Sequence, residues 1–155
     1  MKKMNFPSVK GSNLEKKKYN LPDDFEGKVN IVTIAFQQWQ QGLVDTWVPF
    51  LSELKRKFPD IFFYELPTIN RGYKGIRFII DGGMRMGIPA KEVRERTITL
   101  YLDKKKFMTD LMIENDEDIH TFLLDSNGKV ILRIKGEFKH TSATLIDEKL
   151  EKILK

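Results

Sequence analysis

Val29-Asn30-Ile31-Val32-Thr33-Ile34-Ala35-Phe36 is β-branched and apolar almost throughout. β-Branched residues suit extended backbone, and an unbroken apolar run suits a strand covered on both faces, as in a parallel sheet. Beyond Gln37-Gln38-Trp39-Gln40-Gln41-Gly42, the residues Val44, Trp47, Val48, Leu51, Leu54 and Phe58 recur at helical spacing. That recurrence predicts a core-facing helix stopped by Pro59-Asp60. Ile61-Phe62-Phe63-Tyr64-Glu65-Leu66 then reads as a second strand. Strand, helix, strand is the repeating unit of an α/β sheet.

Downstream, Tyr73 to Met86 predicts a second helix with Gly82-Gly83 weakening its end. Thr97 to Leu102 is a third strand by its β-branched content, and Phe107 to Ile113 a short helix. Thr121-Phe122-Leu123-Leu124 and Val130-Ile131-Leu132-Arg133-Ile134 flank Asp125-Ser126-Asn127-Gly128, a hairpin signal. Ser142 or Thr144 is the expected cap of a last helix, with Thr144 and Asp147 at capping-box spacing. Its expected buried stripe is Leu145, Ile146, Leu150, Ile153 and Leu154. Upstream, Val9 to Leu14 reads as a hairpin turning at Gly11-Ser12-Asn13, before a loop through Leu21-Pro22-Asp23-Asp24-Phe25. Alternating βα units, an antiparallel hairpin and a closing helix predict an α/β fold: a mixed β-sheet with helices on both faces. The expected organisation is a single domain over residues 1–155, with an N-terminal hairpin and loop at 1–28 and the core at 29–155.

The chain has 155 residues, of which 41% are hydrophobic and 32% charged, and its 11 Phe, 2 Trp and 4 Tyr suffice for a core. Cysteine is absent, which removes disulfides, thiolate catalysis and Cys-based zinc sites. His120 and His140 are the two histidines, and neither has a partner at a usual ligand spacing, so no metal and no cofactor are expected. No apolar stretch reaches the roughly 18 to 20 residues of a membrane span, and no secretory signal is evident. If Met1 is the native start, the expected location is cytoplasmic. Net charge is +5, of which residues 1–28, with seven Lys and four acids, carry +3. The runs Lys16-Lys17-Lys18 and Lys104-Lys105-Lys106 lack interleaved aromatics, so nucleic acid is not an expected partner. Arg71, Arg77, Arg85, Arg94 and Arg96 read as a surface segment salt-bridged to Glu92 and Glu95.

The order of elements and two gapless frames resemble the thioredoxin-like superfamily in its TlpA-like and peroxiredoxin-like form. That family carries a strand ending in Phe, four residues, Cys-x-x-Cys, four residues, then Pro-x-Leu-x-x-Leu. Phe36 and Pro49-Phe50-Leu51-Ser52-Glu53-Leu54 keep the frame, which places the two cysteine positions on Gln41 and Val44. Asp125 to Val130, Arg133 and Gly136-Glu137 resemble the family's hairpin and trailing Gly-Glu, and Leu100-Tyr101-Leu102-Asp103 sits where such proteins place an extra, inserted strand ending in Asp. The family's cis-proline position falls on Ile119, where a cis bond would cost about 2.5 to 4 kcal/mol and trans is expected. The resemblance therefore implies the fold without the activity: Gln41 cannot ionise, Val44 has no heteroatom, and thiol–disulfide exchange and thiol peroxidase chemistry are excluded. A second resemblance, through Met84-Arg85-Met86-Gly87-Ile88-Pro89, Tyr101 and the 123–136 hairpin, is to the mitochondrial ATP synthase assembly factor family, and implies a binding or chaperone-like role.

Four amides and an indole separate the first long strand from its helix. Amides both donate and accept, and Trp39 offers apolar area of the kind that anchors interfaces. The candidate binding surface is Trp39, Gln40, Gln41 and Gly42 facing Ile119 and His120, with another protein or a polypeptide segment as the expected partner. The competing reading packs Trp39 and Trp47 in the core and leaves the glutamines to solvate a turn. A different function class, a small-molecule binding protein or non-thiol enzyme, would use Trp39, Gln40, Gln41 and His120. Asp116-Glu117-Asp118 beside His120 reads as a solvated loop rather than an acid/base pair.

Overall fold

A computed structural model describes residues 4–71 and 90–154. The expected helix over 73–86 and the Met84–Pro89 segment lie outside the described residues. Seven strands form one sheet: β1 Val9–Asn13, β2 Lys18–Leu21, β3 Val29–Ala35, β4 Ile61–Asn70, β5 Ile98–Leu102, β6 His120–Asp125 and β7 Val130–Lys135. Their order is β2-β1-β5-β4-β3-β6-β7. β3 and β4 pair in parallel, as do β4 and β5, and the other neighbours are antiparallel. The described helices are α1 Gln41–Asp45, α2 Val48–Lys57, α3 Lys91–Arg96, α4 Lys104–Asp110 and α5 His140–Leu154.

Strand side chains alternate between faces, and the two faces of β3 lead into two cores. Val29 and Ile31 pack with Trp47, Leu51 and Leu54 of the α1–α2 region and with Ile146 and Leu150 of α5. Val32 and Ile34 pack on the other side with Phe6, Tyr19 and Phe25 of the N-terminal segment and with Phe107 of α4. Helices thus cover both faces of a mixed sheet, as the sequence pattern predicts.

The chain's opening closes its far end. Phe6 donates its N–H to the Gly128 carbonyl at 2.8 Å, and Val130 donates to the Met4 carbonyl at 2.8 Å. The 125–128 turn is built by Asp125, whose carboxylate accepts the N–H groups of Asn127 and Lys129 at 2.8 and 3.0 Å. Gly128 takes φ +83° there, a region open to glycine.

Several local expectations are corrected. Gly11-Ser12-Asn13 is strand; the chain turns over residues 14–17, where Asn13 Oδ1 accepts the N–H groups of Glu15 and Lys17 at 2.9 Å each. The expected single helix is two, because Pro49 near the start of α2 has no N–H to carry the ladder back to α1. Thr46 and Trp47 instead bond three residues back, to Leu43 and Val44. α4 starts at Lys104, ahead of the expected Phe107, because the Asp103 carboxylate caps it by accepting the Lys106 N–H at 3.1 Å. Neither Ser142 nor Thr144 caps α5: both lie inside it, and the Thr144 hydroxyl donates back to the His140 carbonyl at 3.2 Å. Ile146 and Leu150 are buried and Leu154 half-buried, but Leu145 and Ile153 are exposed.

Candidate functional site

β3 ends at Ala35, and residues 36–40 carry the chain to α1 at the carboxyl end of the parallel strands. Gln40 is fully buried there and knits the turn. Its Oε1 accepts the N–H groups of Phe36 and Gln37 at 2.8 and 3.2 Å, and its Nε2 donates to the Asp116 carbonyl at 2.8 Å. Gln37 Nε2 donates to that same carbonyl, also at 2.8 Å. A buried amide whose donor and acceptor are both engaged is structural, so Gln40 positions the loop.

Trp39 is 59% exposed, with its indole N–H donated to Gln37 Oε1 at 3.0 Å. Trp47 is fully buried and donates to the Gly136 carbonyl at 3.0 Å. The two tryptophans therefore divide: one packs the core, the other stands outside it on a loop tied down by Gln37. A Cβ added at Gly42 would meet nothing within 4 Å, so the surface there is open.

Gln41, the first vestigial cysteine position, donates to Asp45 Oδ1 at 2.9 Å. Val44, the second, is buried among apolar side chains. Glu65 is a member of the site that the sequence reading missed; its signal was a lone acid in the otherwise apolar run 61–66. It is only 6% exposed and sits in a buried polar row, Thr121–Thr33–Glu65–Thr97, that crosses β6, β3 and β4 and ends on the residue before β5. Burial holds its carboxyl above the usual range; Arg96 opposes that, Asp45 adds to it and Gln41 opposes it. The Arg96 guanidinium lies 4.3 Å from the Phe63 ring centroid. Arg94 pairs with Glu15 at 3.0 Å rather than with Glu92 or Glu95.

Ile119 and His120 do not form one surface. Ile119 is fully buried in the core beneath α1, α2 and α5, and the peptide bond into it is trans. His120, the next residue along, lies on the other side of the sheet near Phe36, with ring centroids 6.4 Å apart. Burial, with Arg133 next, pushes its imidazole down to about 4; Asp118 pulls it up and Lys135 adds to the lowering. In the neighbouring acidic run, Asp116 pairs with Lys104 at 2.7 Å and Asp118 accepts the Ile119 N–H at 2.8 Å. What the structure brings together is the Gln37–Gln41 loop with Asp116, Asp45 and Glu65. Such a group of amides, carboxyls and one exposed indole can bind by hydrogen bonding and apolar contact, and has no thiol with which to do redox chemistry.

The family model described as ATP10 protein matches residues 1–141. No curated protein matches the chain. Among solved structures, the exposed lipoprotein thioredoxin Etrx1 of Streptococcus pneumoniae is 16% identical, over 93% of this chain and 100% of that one, with a TM-score of 0.61. The thiol:disulfide interchange protein DsbE of Chlorobium tepidum is 16% identical over 97% and 96%, with a TM-score of 0.58. BsSco, of the Sco family of cytochrome c oxidase assembly proteins, is 13% identical over 99% and 96%, with a TM-score of 0.63. The fold is thioredoxin-like, and it is built here without cysteine.

Proposed function

The chain belongs to the ATP10 protein family, and from that premise we propose that it is a redox-inactive binding module that holds a polypeptide segment of another protein during its assembly. The observation that carries the reading is Trp39, exposed on a loop that Gln37 and Gln40 hold rigid. A large aromatic side chain ordered before binding loses little freedom on docking, which is what makes such residues interface anchors. Gln41 and the open surface at Gly42 extend the contact with amide groups suited to an extended backbone. ATP synthase subunits are the clients that the family resemblance nominates, which favours a partner recovered from membranes. No described helix is long and apolar enough to cross a membrane.

The test is affinity capture from the soluble and membrane fractions of host lysate, with a bait carrying Trp39→Ala and Gln41→Ala run in parallel. A subunit of ATP synthase captured by the native bait and lost with the variant supports the reading. Equal recovery by the two baits overturns it.

A further inference from the structure

β6 and β7 place His120, Arg133 and Lys135 on the face of the sheet opposite Ile119. His120 is the cross-strand partner of Lys135, and Phe122 of Arg133, whose guanidinium lies 5.1 Å from the Phe122 ring centroid. Between these residues and the turn that follows α4 is a cavity of about 310 Å³, lined by Met112, Glu114, Asn115, His120, Arg133 and Lys135. His120 is only 7% exposed, yet among the described residues no hydrogen bond reaches either ring nitrogen. Its ring nitrogens are not among the buried atoms left without a partner; they open onto the cavity, where a ligand atom can reach them.

The chemistry of the wall says which kind. Arg133 donates to the Leu111 carbonyl at 2.7 Å and the Met112 carbonyl at 3.2 Å, which fixes the guanidinium and leaves further N–H donors. Lys135 is exposed, and among the described residues neither cation forms an ion pair. Of the nearby acids, Asp116 pairs with Lys104, while Asp118 accepts the Ile119 N–H and still acts on His120 as the one charge that raises its imidazole. Asn115 Oδ1 accepts the Glu117 N–H at 2.9 Å, so its amide nitrogen is the group left to donate. Glu114 is the single carboxylate of the lining.

We infer that this cavity is a binding site for an oxyanion, a carboxylate or phosphate group held by Arg133, Lys135, Asn115 and His120. The Gln37–Gly42 loop contributes no residue to it, so it stands or falls separately from the Trp39 reading. Two N–H-rich cations and a neutral imidazole suit a small, charge-dense acceptor.

His120 and His140 are the only histidines, and His140 is exposed at the start of α5. Imidazole NMR of the full chain therefore reads the site and carries its own control. The protein is titrated with inorganic phosphate, with acetate, and with a blocked acidic peptide, at constant ionic strength. Saturable movement of the His120 signals with a raised titration midpoint, against a still His140, is the expected result, because an anion favours the imidazolium form. Lys135→Gln, at an exposed position, should weaken that response about tenfold by removing one charge-assisted contact. A response to phosphate or acetate identifies a free oxyanion as the ligand, and a response to the peptide alone identifies a polypeptide carboxylate; either sustains the site. His120 signals unmoved by all three probes, or an unchanged response in Lys135→Gln, overturn it.

Discussion

Gln40 donates its side-chain amide to the Asp116 carbonyl at 2.8 Å across 76 positions of sequence. The same side chain accepts the buried Phe36 N–H, so one residue clamps the end of β3 to the segment that leads into β6. Gln40→Leu keeps the bulk but strands the N–H donors of Phe36 and Gln37, while the Asp116 carbonyl keeps its bond from Gln37. Leaving buried polar groups unpaired costs about 1 to 3 kcal/mol each; a loss of about 2 to 3 kcal/mol is expected from urea unfolding midpoints. Wild-type stability in this variant would show that the loop is not held this way.

The two tryptophans should behave as opposites. Trp39→Ala is expected to change stability by less than about 0.5 kcal/mol, as surface substitutions do, while weakening capture of the polypeptide partner. Trp47→Ala removes a fully buried indole and its bond to Gly136, and should cost about 3 to 5 kcal/mol. Thermal unfolding of both variants beside the binding assay separates anchor from core.

Acid should weaken the fold through His120. Its folded value of about 4 lies below the ordinary 6.5, so the unfolded chain takes up a proton that the native state resists. Well above pH 6.5 this group has no effect on stability; as pH falls through 6.5 to below 4 stability drops, by about 3 kcal/mol when complete. Glu65 acts in the opposite sense: its raised carboxyl value gives stability that is present at low pH and lost as pH rises through that value. Urea unfolding across pH 4 to 7 should therefore lose its acid limb in His120→Gln. An acid limb as steep as wild type would assign the effect to another group.

Gly11→Ala should loosen the N-terminal hairpin. A Cβ at Gly11 would sit 2.7 Å from side-chain carbons of both Ile98 and Leu100 and 2.9 Å from the Thr99 carbonyl oxygen, which is backbone and cannot step aside. Overpacking of that kind costs about 1 to 3 kcal/mol. Faster amide exchange in β1 and β2, with β3 and β6 still protected, is the expected pattern; unchanged exchange would contradict the close pairing of β1 with β5.

Much of the fold was legible because its central strands are apolar and its last hairpin has a turn with one chemistry. Gly11 shows where composition misleads: Gly-Ser-Asn reads as a turn, but this glycine is needed for close approach to β5, a contact between residues distant in sequence. The break between α1 and α2 hides because the apolar spacing runs on through the tightened turn at Thr46 and Trp47. The candidate site was half legible. The amide-rich loop and its tryptophan stood out, but which tryptophan goes inside depends on packing. Ile119 and His120 are adjacent in sequence, which hides that successive residues of extended chain point to opposite faces. Glu65 was passed over because a single acid in an apolar strand shows its importance only when its cross-sheet companions, Thr33 and Thr97, are known.

The bonds from Met4 and Phe6 to Val130 and Gly128 have a consequence for how the protein is made. On the ribosome the segment that seals the β6–β7 turn emerges long before that turn exists. Until the hairpin follows, Phe6 has no carbonyl to meet and the aromatic cluster around it lacks part of its cover. Closing so long a loop is slow, and exposed apolar surface in the interval invites aggregation. The N-terminal aromatic cluster is thus completed only once the last hairpin has been made.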